Sequence, residues 1–308
     1  MSKELLNMIF GLIGGLGIFL LGMKYMSEGM QAVAGAGLRR MISMATNNRV
    51  LAAIVGLAVT CLVQSSSITT VMVVGFVNSG LMTLMQAIGV IMGSNIGTTI
   101  TGWILVLKIG KYGLPILGLA AFVYLFSKGD RVRYIAMAIM GIGMVFFGLE
   151  LMKDACAYIK DLPAFEAWFG RFSADTVVGM TQCMLAGCVL TVMVQSSSAT
   201  LGITIALALT GVINYPTAAA LVLGENIGTT ITALLASIGA NTNARRAAYF
   251  HGLFNVIGVC WISVFFFQYV KFVPWVINAD PTQSIIDAEG DTTFPEITAA
   301  IAATHSIF

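Results

Sequence analysis

A chain of 308 residues with 58% hydrophobic and only 10% charged side chains cannot cover a water-facing surface, because a soluble domain carries about 25% charged residues. The mean hydropathy of +0.91 comes from continuous apolar runs rich in Leu, Met, Ala and Gly. These specify membrane-spanning helices, since a β-barrel would alternate polar and apolar residues. The net charge of +2 includes no basic stripe that would hold a nucleic acid.

The first apolar stretch, residues 7–28, is long enough to span. It runs on into Lys24 and Glu28 without a small-residue cleavage site, so it does not read as a cleavable signal peptide. Lys24 and Glu28 lie one turn apart and read as an interfacial i,i+4 pair. Residues 31–49 are a polar interlude with Arg39, Arg40 and Arg49. Residues 50–79 are apolar but interrupted by Gln64-Ser65-Ser66-Ser67. Each arm, 50–63 and 68–78, is too short to cross alone at 1.5 Å per residue. The simplest expectation is a re-entrant helical hairpin with Gln-Ser-Ser-Ser at its tip; one long tilted helix is the alternative. Residues 83–107 can span but contain Gly93-x-Asn95-x-Gly97-Thr98-Thr99, which predicts a helix broken near mid-membrane. Residues 112–127 span again, and a basic loop holds Lys128, Arg131 and Arg133.

Residues 134–153 then span, with Glu150 at the membrane edge, and Phe146-Phe147-Gly148 echoes Leu20-Leu21-Gly22. A second copy starts here. A polar loop covers 154–175, a second hairpin 176–211 with Gln195-Ser196-Ser197-Ser198 at its tip, and a second broken helix 215–238. After Arg245 and Arg246, residues 247–270 span. Residues 278–296 hold Asp280, Asp287, Glu289, Asp291 and Glu296 and no Lys or Arg, so they form an aqueous loop. Residues 297–308 begin an apolar helix too short to span, and the chain reads as truncated there.

The repeat is explicit. Val63 to Ser67 recurs as Val194 to Ser198, and Gly93-Ser94-Asn95-Ile96-Gly97-Thr98-Thr99-Ile100-Thr101 recurs as Gly224-Glu225-Asn226-Ile227-Gly228-Thr229-Thr230-Ile231-Thr232, both 131 positions on. The same shift pairs Gly56 with Gly187, Thr60 with Thr191 and Gly80 with Gly211. Repeat 1 covers 1–127 and repeat 2 covers 134–270. An odd number of crossings, three, separates the two beginnings. The copies are therefore expected to be inverted, as in secondary transporters with a site between their halves. The fold class is an all-α integral membrane protein with an inverted two-fold repeat, multi-pass in the cell's inner (plasma) membrane. Loop cations weakly favour an external N-terminus.

Buried polar groups in lipid are costly unless paired or lining a wet cavity. Two Gln-Ser-Ser-Ser and two Asn-Ile-Gly-Thr-Thr clusters gather amide and hydroxyl oxygens that suit a hard monovalent cation. Helix C-termini freed at a break attract cations, and freed N-termini attract anions. Ser is a favoured N-cap, so the serines would open each second arm. The candidate substrate ligands are Gln64, Ser65, Ser66, Ser67, Gln195, Ser196, Ser197, Ser198, Asn95 and Asn226. The candidate sodium ligands are Gln64, Ser66, Ser67, Asn95, Thr98, Thr99, Gln195, Ser197, Ser198, Thr200, Glu225, Asn226, Thr229 and Thr230. Glu225, standing where copy one has Ser94, adds negative charge to a cation site or titrates with protons. No Arg or Lys lies in these segments, so a bound anion must be neutralised by co-bound cations and helix dipoles. His251, beside Asn255, reads as packing or support. The cysteines Cys61, Cys156, Cys183, Cys188 and Cys260 lack metal-ligand spacing and read as small packing residues.

Two Gln-Ser-Ser-Ser motifs, each followed by Gly-x-Asn-Ile-Gly-Thr-Thr in inverted halves, resemble the type II sodium–phosphate cotransporter family over nearly the whole chain. The resemblance implies uptake of inorganic phosphate by Na⁺-coupled symport, with Gln64–Ser67 and Gln195–Ser198 as hairpin tips around substrate and ions. It also implies that Asn95, Thr98, Thr99, Asn226, Thr229 and Thr230 line the same site. No organic cofactor is implied, and a homodimer is expected. The alternatives keep the architecture with sulfate or another oxyanion, or with proton coupling. Further off stand a channel and an intramembrane serine hydrolase, which needs a base beside one serine. For the hydrolase, His251 would have to serve one copy alone.

Overall fold

The computed structural model describes residues 3–43, 48–107, 110–160, 173–286 and 292–308. The described residues are almost wholly helical: α1 (Lys3–Ala34), α2 (Ala36–Ser43), α3 (Arg49–Val63), α4 (Ser66–Asn78), α5 (Leu84–Val106), α6 (Gly110–Phe126) and α7 (Asp130–Lys160). There follow α8 (Val177–Val194), α9 (Ser197–Leu209), α10 (Tyr215–Gly228), α11 (Ile231–Ala236), α12 (Thr242–Val264), α13 (Phe266–Ile277) and α14 (Pro295–Ile307), with a two-residue hairpin, Ile285–Ile286 on Thr292–Thr293, before α14. Six helical spans among them are long and apolar enough to cross a membrane. The protein is a multi-pass, all-α membrane protein.

Helices meet backbone to backbone where glycine removes the side chain. In α3 against α5, a Cβ on Gly56 would lie 2.0 Å from the Val90 carbonyl oxygen, and one on Gly93 would lie 1.8 Å from that of Ala53. The second copy repeats the contact between α8 and α10: Gly187 would strike Leu221 at 2.2 Å and Gly224 would strike Met184 at 1.9 Å. Along both pairs the residue numbers rise together, Gly93 over Ala53 and Gly97 over Leu57, so each pair is parallel. The α1 and α7 pair is different. Gly22 meets Gly141 and Gly15 meets Gly148, at 2.6 and 2.7 Å for the added Cβ, so these two helices are antiparallel.

This packing corrects the first broken helix. α5 runs unbroken from Leu84 to Val106, because Gly93 and Gly97 admit the backbone of α3 rather than interrupting their own helix. In the second copy the span is interrupted, but past the glycine. The Thr230 N–H bonds the carbonyl three residues back, at Ile227, and α11 starts at Ile231.

The polar interlude is helical up to Ser43. α1 continues to Ala34 and ends at Gly35 in the left-handed region (φ 51°). α7 likewise continues to Lys160, inside the expected polar loop. The expected 247–270 span is α12 plus α13, divided at Phe265. In the acidic loop, the Asp280 backbone N–H donates to Glu296, and Thr282 donates to the exposed Asp280 carboxylate, holding it below its usual range. Asp287, Glu289 and Asp291 lie outside the described residues, as do the side chains of Arg39 and Cys156. Cys183 is buried as a packing residue would be, whereas Cys260 is exposed.

Because the Gly93 contact has no free space, Gly93→Ala should lower unfolding stability in detergent by about 1–3 kcal/mol, the usual cost of overpacking. Gly75→Ala, where an added Cβ meets nothing within 4 Å, should leave the melting temperature unchanged or slightly higher. Thermal unfolding of the two variants checks this, and equal melting temperatures would contradict it.

Candidate functional site

Each Gln-Ser-Ser-Ser motif stops one helix and starts another within two residues. Gln64 takes a left-handed conformation (φ 55°, ψ 28°) and its N–H bonds the Thr60 carbonyl, closing α3. Ser65 is extended, and its hydroxyl accepts from the Ile68 N–H, opening α4 as the N-cap. Gln195 (φ 56°, ψ 25°) and Ser196 do the same between α8 and α9. A left-handed residue other than glycine costs on the order of 1–3 kcal/mol and persists only where its surroundings enforce it.

The arms then double back on one another. The Thr60 hydroxyl donates to Thr69 at 3.0 Å and that of Thr191 to Thr200 at 3.2 Å. Residues nine apart in a continuous helix would stand about 13 Å apart along the axis, so the single tilted helix is ruled out.

The two tips face one cavity of about 600 Å³. Residues 64–68 and 194–199 line it, together with Lys24, Ser27, Glu28 and Gln31 of α1. The first-turn N–H groups of α4 and α9 have no carbonyl to bond within their helices, so Ser66, Ser67, Ser197 and Ser198 bring amide donors and positive dipole ends to this space. The carbonyl ends of α3 and α8 arrive at the same two points. One of them is already capped: the Ser27 hydroxyl donates to the Val63 carbonyl at 2.7 Å, and Gln31 donates to Ser27.

The two glutamines differ. Gln64 is buried, its amide donating to the Cys61 carbonyl and accepting from the Thr101 hydroxyl. The exposed Gln195 side chain lines the cavity with no hydrogen bond among the described residues.

The remaining predicted ligands stand elsewhere. The hydroxyls of Thr98 and Thr99 donate to the carbonyls of Ser94 and Ile96 in α5, and those of Thr229 and Thr230, just past the end of α10, donate to the carbonyls of Glu225 and Ile227. That of Thr200 donates to the Ser196 carbonyl inside the tip. Asn95 accepts from His251 Nε2 at 3.0 Å, and its twin Asn226 accepts from His305 Nε2 at 3.2 Å. Glu225 is 2% exposed and accepts from the Thr204 hydroxyl, so it lies apart from the cavity.

His251 therefore does not serve one copy alone in kind. His305 is its counterpart, and both are bonded to asparagine rather than to a motif serine. The repeated His-x-x-Phe of His251–Phe254 and His305–Phe308 was the signal for this pair. The polar spacing Lys24, Ser27, Glu28, Gln31, one helical face by its 3.6 period, was the signal for the α1 wall. Among the described residues no three His, Cys, Asp or Glu gather as a metal would require. A cation at the tips would be held by hydroxyl, amide and carbonyl oxygens.

The Na⁺/Pi-cotransporter family pattern matches residues 18–154 and 163–273, which takes in both tips and the whole cavity wall. The chain belongs to that family. It is 28% identical over 271 residues to "Uncharacterized protein YqeW" of Bacillus subtilis, covering 87% of this chain and 85% of that one. To "Putative inorganic phosphate export protein YjbB" of Escherichia coli O157:H7 it is 28% identical over 250 residues, 81% of this chain and 45% of that one. To human "Sodium-dependent phosphate transport protein 2B" it is 43% identical over 98 residues, 31% of this chain and 14% of that one. No solved structure matches.

The buried His–Asn bonds give a test of fold. His251→Phe leaves the Asn95 carbonyl oxygen without this donor and should cost about 1–3 kcal/mol. His251→Gln, which keeps an N–H donor, should recover part of that. The same pair of changes at His305 should behave alike, read by thermal unfolding in detergent.

Proposed function

We propose that the chain is a secondary transporter that couples inorganic phosphate to Na⁺, with substrate and ions held between the two Gln-Ser-Ser-Ser tips and exposed alternately to the two sides. The observation that carries this reading is the convergence of both tips on one cavity. An oxyanion there meets two sets of helix N-terminal amides and six serine hydroxyls, and a cation meets the carbonyl ends of the paired arms. Both ligands are served by groups a few ångströms apart, so each lowers the cost of holding the other.

The two halves are inverted, and α3–α4 and α8–α9 are re-entrant hairpins. The α1 and α7 contact supports the inversion. The 126-position shift that aligns Leu20-Leu21-Gly22 with Phe146-Phe147-Gly148 carries Gly15 onto Gly141 and Gly22 onto Gly148, so each glycine contact maps onto the other across an antiparallel pair. A two-fold axis in the membrane plane has that property. Na⁺ coupling draws on the relative named as sodium-dependent. The relative named for phosphate export favours a second reading, in which the same site releases phosphate outward. The membrane is the cell's inner (plasma) membrane, and catalysis has no support, since neither His251 nor His305 bonds a tip serine.

Radiolabelled phosphate flux in proteoliposomes decides among these. Uptake that saturates, needs an inward Na⁺ gradient and falls at least tenfold (about 1.4 kcal/mol) in Gln195→Ala is the expected result. Sulfate uptake in place of phosphate would keep the site and change the cargo. Phosphate flux indifferent to Na⁺ would remove the coupling, and net efflux from loaded vesicles without Na⁺ would favour the export reading. Flux proportional to concentration without saturation would mean a channel.

A further inference from the structure

The only charged side chains on the cavity wall among the described residues are Lys24 and Glu28. They project from α1 opposite the two tips, and their nitrogen and oxygen stand 3.8 Å apart. That is too long for a charge-assisted hydrogen bond, which closes to about 2.7–2.9 Å. The corresponding stretch of α7 carries Glu150 and Lys153, and that pair is closed, with a hydrogen bond at 3.2 Å. Lys24 makes no hydrogen bond among the described residues, so its ammonium donors are available to the space that also receives the N-terminal amides of α4 and α9. Glu28 offers carboxylate oxygens to the same space. The residues between and beyond them are occupied: Ser27 caps the Val63 carbonyl and Gln31 donates to Ser27. α1 is thereby fixed against the first tip, with Lys24 and Glu28 left facing the cavity.

We propose that the Lys24–Glu28 pair couples the two bound ions: the oxyanion takes Lys24, and the co-bound monovalent cation takes Glu28. This rests on the transporter reading above and adds to it a specific device. In the empty cavity the two charges offset one another. An oxyanion that binds alone draws Lys24 away and leaves Glu28 without its counter-charge. A cation that binds alone does the reverse. Binding both restores neutrality, with each charge of the pair facing an ion of opposite sign. The affinity of each ion is then raised by the other, and by linkage the two enhancements are equal. Both side chains are about half exposed or more, 63% for Lys24 and 49% for Glu28. They sit in a wet space, so the coupling belongs at the lower end of the usual range, on the order of tenfold.

Equilibrium binding of radiolabelled inorganic phosphate to the purified full chain, in Na⁺ and in choline, tests this without requiring transport. The native chain should bind phosphate about tenfold more tightly in Na⁺. Glu28→Gln frees Lys24 from its partner. It should tighten phosphate binding in choline by several-fold and reduce the Na⁺ enhancement to less than about threefold. Lys24→Gln should weaken phosphate binding in Na⁺ by about tenfold, and Lys24→Arg should restore it. If the Na⁺ enhancement survives undiminished in Glu28→Gln, the coupling role is overturned even where affinity shifts. If neither Lys24→Gln nor Glu28→Gln changes binding while the native chain binds phosphate with Na⁺, the pair is a bystander and the transporter reading stands without it. If the native chain binds no phosphate in either salt, both the pair's role and the phosphate reading fall. Because the two side chains are exposed, folding of the variants is preserved, and an unchanged melting temperature verifies it.

Discussion

Opening a helix inside a membrane leaves backbone amides and carbonyls with no water to satisfy them, and each unsatisfied group there costs several kcal/mol. The rest of this structure depends on how that cost is met at Gln64–Ser65 and Gln195–Ser196. Part is met locally. Each serine hydroxyl takes an amide of the helix it opens, each glutamine N–H takes a carbonyl of the helix it closes, and a threonine pair ties the arms together. Part is met by α1, whose Ser27 takes the Val63 carbonyl. What is left over, the first amides of α4 and α9, is concentrated in one cavity. An amide with no partner in its own helix is a binding group when a suitable ion arrives, and the fold sets these amides where an ion can reach them.

Holding two tips face to face needs a scaffold that leaves little slack. The glycines at the α3–α5 and α8–α10 crossings bring backbones so close that even a methyl group would have to displace a carbonyl. The tip-bearing arms α3 and α8 are thereby fixed to their neighbours, α3 to the unbroken α5 and α8 to α10. The return arms α4 and α9 meet those neighbours far less closely. They are held by other helices instead, and α9 has most of its residues buried.

The tips, the repeat and its spacing were legible in the sequence because they are written in contiguous residues: Gln-Ser-Ser-Ser cannot sit unbroken in an apolar helix at no cost. The break in α5 was read wrongly from equally contiguous residues. Glycine permits two things, a bent backbone and a close neighbour, and Gly93 and Gly97 do the second. Only the position of α3 distinguishes these, and that is tertiary information. The same holds for Asn95 and Asn226. A polar residue among apolar helices needs a partner, and here each asparagine oxygen has a histidine far along the chain. Lys24 and Glu28 form the expected i,i+4 pair, and they also line the cavity. An i,i+4 ion pair near the end of an apolar run looks like an interface anchor, and the sequence does not say that two helix tips arrive opposite it.

The departures from symmetry carry as much meaning as the symmetry. Gln64 is bound at both ends of its amide, while Gln195 lies open to the cavity. Ser94 donates to its own helix at Ile91, while its twin Glu225 is buried against Thr204. Lys24 and Glu28 line the cavity from α1, while the charged pair on α7 lies elsewhere. A perfectly two-fold site would treat its two ligands alike. An anion and a cation are not alike, so a duplicated fold that binds both has to differentiate its copies. In this chain the first tip, anchored by Thr101 and Ser27, is structurally committed, and the second is left free to respond to what enters the cavity.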